Sequence, residues 1–292
     1  MDTVFKIAGI GEILWDVLPT GKQLGGAPCN FAYHCRQAGA DGVVVSAVGN
    51  DRLGGELLDR LSELGVPDSY VQVSNCFGTG VVNVEVDSSG VPSYDIKDGV
   101  AWDNIAFTPS LSSLASSLDA VCFGSLAQRN TVSRDTIMSF VSSTRRDCLR
   151  VFDVNLRQSY FSPEVIVKSL ELANVLKLND EELPVIAGIL GYSEETAIAS
   201  LMRDFGIGTV AYTRGANGSI LFRGGEMSES GASDTVVEDT VGAGDSFTAM
   251  LVCGILKGLD LYTLHMIANR VASFVCSRKG ATPAIPEELL HK

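Results

Sequence analysis

The chain has 292 residues, 46% of them hydrophobic and 20% charged, with a formal net charge of −13. This length and apolar content suit one large α/β domain with an insertion, or two ordinary domains. The acidic balance argues against nucleic acid and anionic membrane as partners, and means that a phosphate-bearing substrate must be held by local groups against the global field.

In chain order, short β-branched runs alternate with helical patterns. A strand is expected at 4–10, a helix at 28–38, a strand at 43–48, and a helix at 54–64 with Leu57, Leu58, Leu61 and Leu64 on one face. Next comes a break in rhythm: two runs, 80–86 and 91–96, flank "DSSG" and read as a hairpin. The alternation then resumes with strands at 120–123, 151–154, 175–178 and 209–213, and helices at 131–146, 163–173 and 194–205. From Asp239 onward the pattern is largely helical. Such alternation implies a mostly parallel sheet covered on both faces, with ligands at the carboxyl ends of its strands. No repeat, low-complexity stretch or Pro/Ser-rich linker divides the chain, so a single domain over 1–292 is expected.

The seven cysteines are odd in number, form no CxxC pair and sit mostly among apolar neighbours, which suggests reduced, buried thiols. The three histidines have no metal-ligand spacing and read as structural. The first residues, "MDTVFKIAGIGEILWDV", lack a basic n-region, and no apolar run approaches membrane-spanning length. A soluble, cytoplasmic protein without nucleic-acid or membrane partners is expected.

Polar clusters fall where successive strands end. "DVNLR" places Asp153, Asn155 and Arg157 past one strand; "LNDEE" places Asn179 and Glu182 past the next; "TRGANGS" places Thr213, Arg214, Gly215 and Gly218 past another. Together they offer phosphate donors, a carboxylate for Mg²⁺ and a cleft. Further on, "DTVGAGDSFTAM" (239–250) sets a turn of Gly242, Ala243 and Gly244 at the start of an apolar helix. A helix start of this kind presents free backbone N–H groups to an anion, yet Asp245 at its mouth would repel one. Asp is also a favoured cap near a helix start, so the local reading leaves both an anion site and a plain capped helix open. No GxxxxGK[ST] occurs, and "GIGEIL" lacks the third glycine of a dinucleotide turn.

"GGAPCNFAYHCRQAGA…VGNDRLG" and "DTVGAGDSFTAM" resemble the two signature regions of the PfkB/ribokinase family of carbohydrate kinases, a resemblance that runs from Gly11 to Pro286. It implies a ribokinase-like three-layer αβα core with a mostly parallel sheet, and a small β-sheet lid contributed by about 12–25 and 72–104. It also implies ATP as phosphoryl donor, Mg²⁺ and K⁺. Asp245 then becomes the base that takes the proton of the attacking sugar hydroxyl, while Gly242, Ala243 and Gly244 bind phosphoryl charge. By the same resemblance, Asn179 and Glu182 order Mg²⁺-bound water; Thr213, Gly215 and Asn269 contact nucleotide; and Asp16, Gly26 and Asn30 contact sugar. Asp239 and carbonyls near 277–282 belong to a monovalent cation loop. Arg157 is open between a contact to sugar or transferred phosphate and a structural ion pair.

The substrate expected is free D-fructose, phosphorylated at O6, because "GEILWDVLPTGKQLGGAPCNFAYH" (11–34) resembles the fructokinase branch. Trp15 and Trp102 are open between apolar walls for the sugar ring and plain core residues. Ser125, Ala127 and Gln128 offer no carboxylate where ribose kinases place one, and the hairpin 78–96 carries no Lys or Arg for a phosphosugar. The alternatives are a kinase of 2-keto-3-deoxygluconate, of another ketohexose or of a nucleoside, or a catalytically silent sugar-binding relative. Homodimerisation through the lid is permitted by the apolar positions Val82, Val84 and Val86.

Overall fold

Aliphatic runs too apolar to stand in water pair into a sheet buried on both faces. The computed structural model describes residues 4–18, 21–86, 92–231 and 235–291, with backbone alone for 84–86 and 92–94. The first part of the chain forms β1 (Lys6–Ile10), β2 (Leu14–Leu18), β3 (Gly21–Gly25), α1 (Ala27–Gln37), β4 (Asp41–Gly49), α2 (Arg52–Glu63), β5 (Val71–Ser74), β6 (Gly80–Val86), β7 (Pro92–Ile96) and α3 (Pro109–Ala115). The middle forms β8 (Ala120–Phe123), α4 (Thr131–Ser142), β9 (Leu149–Asp153), α5 (Pro163–Leu172), β10 (Val175–Asn179), α6 (Glu182–Leu190), α7 (Glu194–Phe205) and β11 (Thr209–Thr213). The last part forms β12 (Ser219–Arg223), β13 (Glu226–Ser230), α8 (Ala243–Leu256) and α9 (Leu261–Cys276).

Among the described residues the large sheet has nine strands in the order β13-β12-β11-β10-β9-β8-β1-β4-β5. It is parallel from β11 through β5, and β12 runs antiparallel between β11 and β13. β1 lies between β8 and β4, so the strand order reverses beside it and a crevice opens at the carboxyl ends. Helices α3 to α7 supply apolar side chains such as Leu111, Phe140, Ile166, Ile186 and Leu201 to one face of the sheet. Helices α1, α8 and α9 cover the other with Phe31, Leu251 and Val271. α8 is wedged between α1 and α9, which is why Phe247 through Gly254 are all buried.

A second sheet, β3-β2-β6-β7, is antiparallel except for the β2–β6 pair. It corresponds to the expected lid, although β5 joins the large sheet instead and Trp102 is buried in the main core. The "DSSG" turn lies outside the described residues, as do the side chains of Val84 and Val86. Val82 packs into the core beneath β6. Strands β2, β3, β5, β12 and β13 escape the sequence pattern because they are short and, away from the sheet centre, bury only part of their side chains. Helix α4 ends at Ser142 rather than 146 because Ser143 and Thr144 hydroxyls bond back to Ser139 and Val141 carbonyls, while Arg145 turns to Asp119 at 2.8 Å. Among the described residues no helix is long and apolar enough to cross a membrane.

Leu251 is fully buried in α8. Leu251→Ala should lower stability by about 2–5 kcal/mol in urea denaturation, the range for a core leucine whose cavity cannot collapse; an unchanged midpoint would contradict the packing described.

Candidate active site

The turn before α8 is held in shape from three sides. Gly242 has φ 79°, and a Cβ there would lie 2.6 Å from Ala281 Cα, so glycine is required both by conformation and by space. Asp239 bridges the two loops: Oδ1 accepts from Val241 N and Oδ2 from Gly280 N, each at 3.0 Å. His34 on α1 donates Nε2–H to the Ala281 carbonyl at 2.8 Å. Burial keeps this imidazole neutral, pushing its pKa down to about 4 against the pull of that carbonyl. Among the described residues no acceptor faces the N–H groups of Gly242, Gly244 and Asp245, whereas that of Ala243, expected to bind phosphoryl charge, donates to the Thr240 carbonyl at 3.3 Å and is already paired. The three unpaired groups form an open anion site at the positive end of the α8 dipole.

Asp245 stands at that site with part of its surface open to the cleft and densely packed atoms around the rest. Asn30, one turn before His34 on α1, donates Nδ2–H to Asp245 Oδ2 at 2.8 Å. Loss of solvent raises the Asp245 pKa to about 6; Asp153 adds to the rise, while Asn30, Lys177 and Arg157 oppose it. Asn30 Oδ1 is buried without a partner, an acceptor left for an incoming hydroxyl.

Two further carboxylates face the same space. Glu12, just past β1, is buried and accepts from Ala27 N at 3.2 Å, tying down the start of α1. Its pKa rises to about 7 through burial, with Asp245 adding repulsion against the pull of backbone N–H groups. Asp16 on β2 lies over the bare backbone of Gly25, where a Cβ would strike its Oδ2. Burial raises it to about 6, Arg157 opposing and Asp239 contributing. The two small-sheet strands thus carry Asp16 to the same crevice as Gly26, Asn30 and Asp245.

Arg157 sits in the loop after β9 between Asn155 and Gln158, which have φ of 43° and 49°. Left-handed backbone at non-glycine residues is costly and is held here by Ser125, whose hydroxyl donates to the Asn155 carbonyl at 3.3 Å. The Arg157 side chain is exposed, makes no ion pair among the described residues, and acts electrostatically on Asp16, Glu12 and Asp245. Gln128 is buried on the Gly124 carbonyl and Ser169 hydroxyl, both at 2.9 Å. Both tryptophans are core residues: Trp102 is enclosed, and Trp15 packs against α2 with its indole N–H on the Leu53 carbonyl at 3.0 Å.

Along the neighbouring strands the expected phosphate and nucleotide residues line up. β-Pairing sets Asp153 opposite Lys177, and Asn179 opposite Thr213, which in turn faces Ser219. Ser219 donates to Asn269 Oδ1 at 2.7 Å, so Asn269 on α9 joins Thr213 and Gly215 at that end. Its Nδ2 is buried without a partner. Asn179 and Glu182 form a reciprocal cap on α6: Asn179 Oδ1 accepts from Glu182 N at 2.8 Å, and Glu182 Oε2 from Asn179 N at 2.8 Å. Glu182 Oε1 also accepts from Leu156 N at 3.0 Å, and burial raises its pKa. Sequence reading missed Lys177 and Glu12. The signal for Lys177 was a lone cation inside the apolar strand "VLKLN", where only a buried partner makes it tolerable.

The chain matches the pfkB carbohydrate kinase family over residues 14–288, and it belongs to that family. An uncharacterized sugar kinase of Pyrococcus horikoshii is 31% identical over 314 residues, spanning 100% of this chain and 97% of the relative. The crystal structure of that protein in complex with ATP is similar with a TM-score of 0.82 at 29% identity, over 94% of each chain. A fructokinase of Escherichia coli is 26% identical over 306 residues and 96% of each chain. A 2-dehydro-3-deoxygluconokinase of Thermoproteus tenax is 28% identical over 284 residues, 92% of this chain and 86% of the relative.

The raised pKa of Glu12 makes stability depend on pH. A folded-state value of about 7 against 4.5 means the folded protein binds the proton more readily, so this contribution is present below 4.5 and lost as pH rises through 7. Glu12→Gln, whose carbonyl can still accept from Ala27, should be more stable than the parent at pH 8 by on the order of 1–3 kcal/mol. The difference should vanish below pH 5; urea denaturation across pH measures it, and a variant less stable at pH 8 would contradict the assignment.

Proposed function

We propose that this kinase transfers the γ-phosphoryl group of ATP to the terminal hydroxyl of a free sugar, D-fructose at O6, with Asp245 as general base. The carrying observation is the pairing of opposites at the α8 terminus: unpaired N–H groups of Gly242, Gly244 and Asp245 beside a carboxylate oriented by Asn30. The N–H groups receive phosphoryl charge, and the carboxylate receives the proton that the attacking hydroxyl must lose. ATP as donor is supported by its presence in the structure of the Pyrococcus relative. Bound with Mg²⁺, it supplies the phosphoryl group with its charge partly neutralised. Thr213, Gly215 and Asn269 would hold the nucleotide, a reading supported by the buried Asn269 Nδ2, a donor without an acceptor, and by the Ser219 bond that ties Asn269 to that end of the sheet. Among the described residues no group of three His, Cys, Asp or Glu could cage a metal. Glu182 and Asn179 would therefore meet Mg²⁺ through water, as that ion's retained hydration favours.

On the sugar side, Asp16, the Gly25–Gly26 backbone and Asn30 offer acceptors and close approach for neighbouring hydroxyls, and Arg157 borders them. The absence of Lys and Arg from 78–96 favours a free sugar over a phosphosugar, and the resemblance of residues 11–34 to fructokinases favours fructose. A second reading, a 2-keto-3-deoxy sugar acid, is favoured by the exposed Arg157 guanidinium, which would pair with a carboxylate.

Coupled ADP release over a panel of free sugars, keto-deoxy acids and adenosine tests both readings, with Asp245→Asn as the blank. Fructose should give the highest kcat/KM, and the folded Asp245→Asn variant should lose ~10²–10⁴-fold in turnover. A best acceptor other than a ketohexose would overturn the substrate assignment; near-parental activity in the variant would overturn the base.

K⁺ should raise turnover over Li⁺, because a cation held by Asp239 and the carbonyls of 277–282 would brace the Gly242 turn against Ala281. A flat response across a cation titration would remove that role.

A further inference from the structure

Beneath the α8 turn lies a buried polar cluster that the phosphoryl-transfer scheme does not use. Lys177 Nζ is 3.0 Å from Asp153 Oδ1, and both side chains are buried. Thr248 Oγ1 lies 3.0 Å from Asp153 Oδ2 and 2.9 Å from the Gly244 carbonyl, one turn back on α8. A Cβ built on Gly244 would stand 3.1 Å from Lys177 Nζ, so the ammonium sits directly under the anion-site backbone. Lys177 therefore touches the base's helix twice: directly under Gly244, and through Asp153 and Thr248.

We propose that Lys177 is a positioning residue for Asp245: it is the buried counter-charge that keeps the base ionised and, through Asp153 and Thr248, fixes the first turn of α8. Among the described residues, groups from several elements face Asp245. α1 presents Asn30 and Cys29, the segment after β1 presents Glu12, β8 presents Cys122, β9 and its loop present Asp153 and Arg157, and β10 presents Lys177. α9 presents His265, but behind Phe247 at a ring-centroid distance of 6.2 Å. Glu12, Asp153 and Glu182 are buried acids in this neighbourhood, and the thiols are held neutral by burial. Arg157 is exposed and screened by solvent. Lys177 is thus the buried cation that offsets the acids, and the ion pair with Asp153 sets the local field by the sign of whichever partner remains.

The inference rests on Asp245 as the base, and its test separates the two. The pKa of the Asp245 carboxyl is read by ¹³C NMR of carboxyl-labelled protein without substrate, its signal assigned by Asp245→Asn, beside the acid limb of kcat against pH. Lys177→Met should raise both by ~1 unit and Asp153→Asn should lower both, while the double variant should return near the parental value. A structural ion pair without this role would lower Tm in each single variant and leave the carboxyl titration in place. If Lys177→Met fails to fold, Asp153→Asn and the double variant carry the same comparison. Carboxyl titrations that stay put, or that move in one direction in both single variants, overturn the proposal. A carboxyl that moves as stated while the acid limb of kcat does not supports Lys177 and rejects Asp245 as the base.

Discussion

The rest of the structure is arranged around one electrostatic conflict: a helix terminus left open for an anion, with a carboxylate placed at its mouth. Unpaired N–H groups at Gly242, Gly244 and Asp245 attract negative charge, while Asp245, Glu12, Asp16 and Asp153 gather more of it where water is scarce. Burial raises the pKa values of Asp245, Glu12 and Asp16, neighbouring acids add to the rise, and a proposed base must still ionise near neutrality to be of use. The fold answers by bringing opposing groups from separate elements: Lys177 from β10 and Asn30 from α1, with Arg157 at the rim. None of these groups is near Asp245 in sequence, so the site exists only once the parallel sheet has formed.

Helix α1 organises much of that assembly. Its residues 30 and 34, one turn apart on the same face, hold Asp245 and the Ala281 carbonyl respectively. Ala281 in turn leaves no room for a side chain at residue 242. Asp245, the Gly242 turn and the 277–282 loop are therefore referenced to one rigid element. The small sheet is anchored to α2 nearby: Lys22 pairs with Glu56 and lies over the Trp15 ring, 4.5 Å from its centroid. That anchorage brings Asp16 to the crevice from outside the main core.

Several residues have a local structural role that coexists with a place in the proposed site. Asn179 and Glu182 cap each other at the start of α6, which fixes their side chains before any ligand arrives. Asp239 spends both oxygens on backbone N–H groups, and so ties the turn to the neighbouring loop. The left-handed residues Asn155 and Gln158 hold Arg157 at the edge of the crevice. Pre-organisation of this kind is what a phosphoryl-transfer site requires, since positioning and fixed charge supply most of its effect.

The sequence by itself determined the alternation of strand and helix, the polar ends of β9, β10 and β11, and the glycine turn into α8. Each is a local pattern, read from periodicity, turn chemistry and composition. Strands β5, β12 and β13, at or next to the sheet edges, stayed hidden because a short, half-exposed strand leaves little periodicity to read. Trp15 and Trp102 could be named but not placed, since an aromatic ring suits a core and a binding wall equally. Only the tertiary structure decided that Glu12 lies beside Asp245, that Asn30 orients it, and that Lys177 sits under Gly244. The physical reason is distance: Asn30 and Asp245 are separated by 215 residues in the chain, and their interaction depends on a few ångströms that no local pattern encodes.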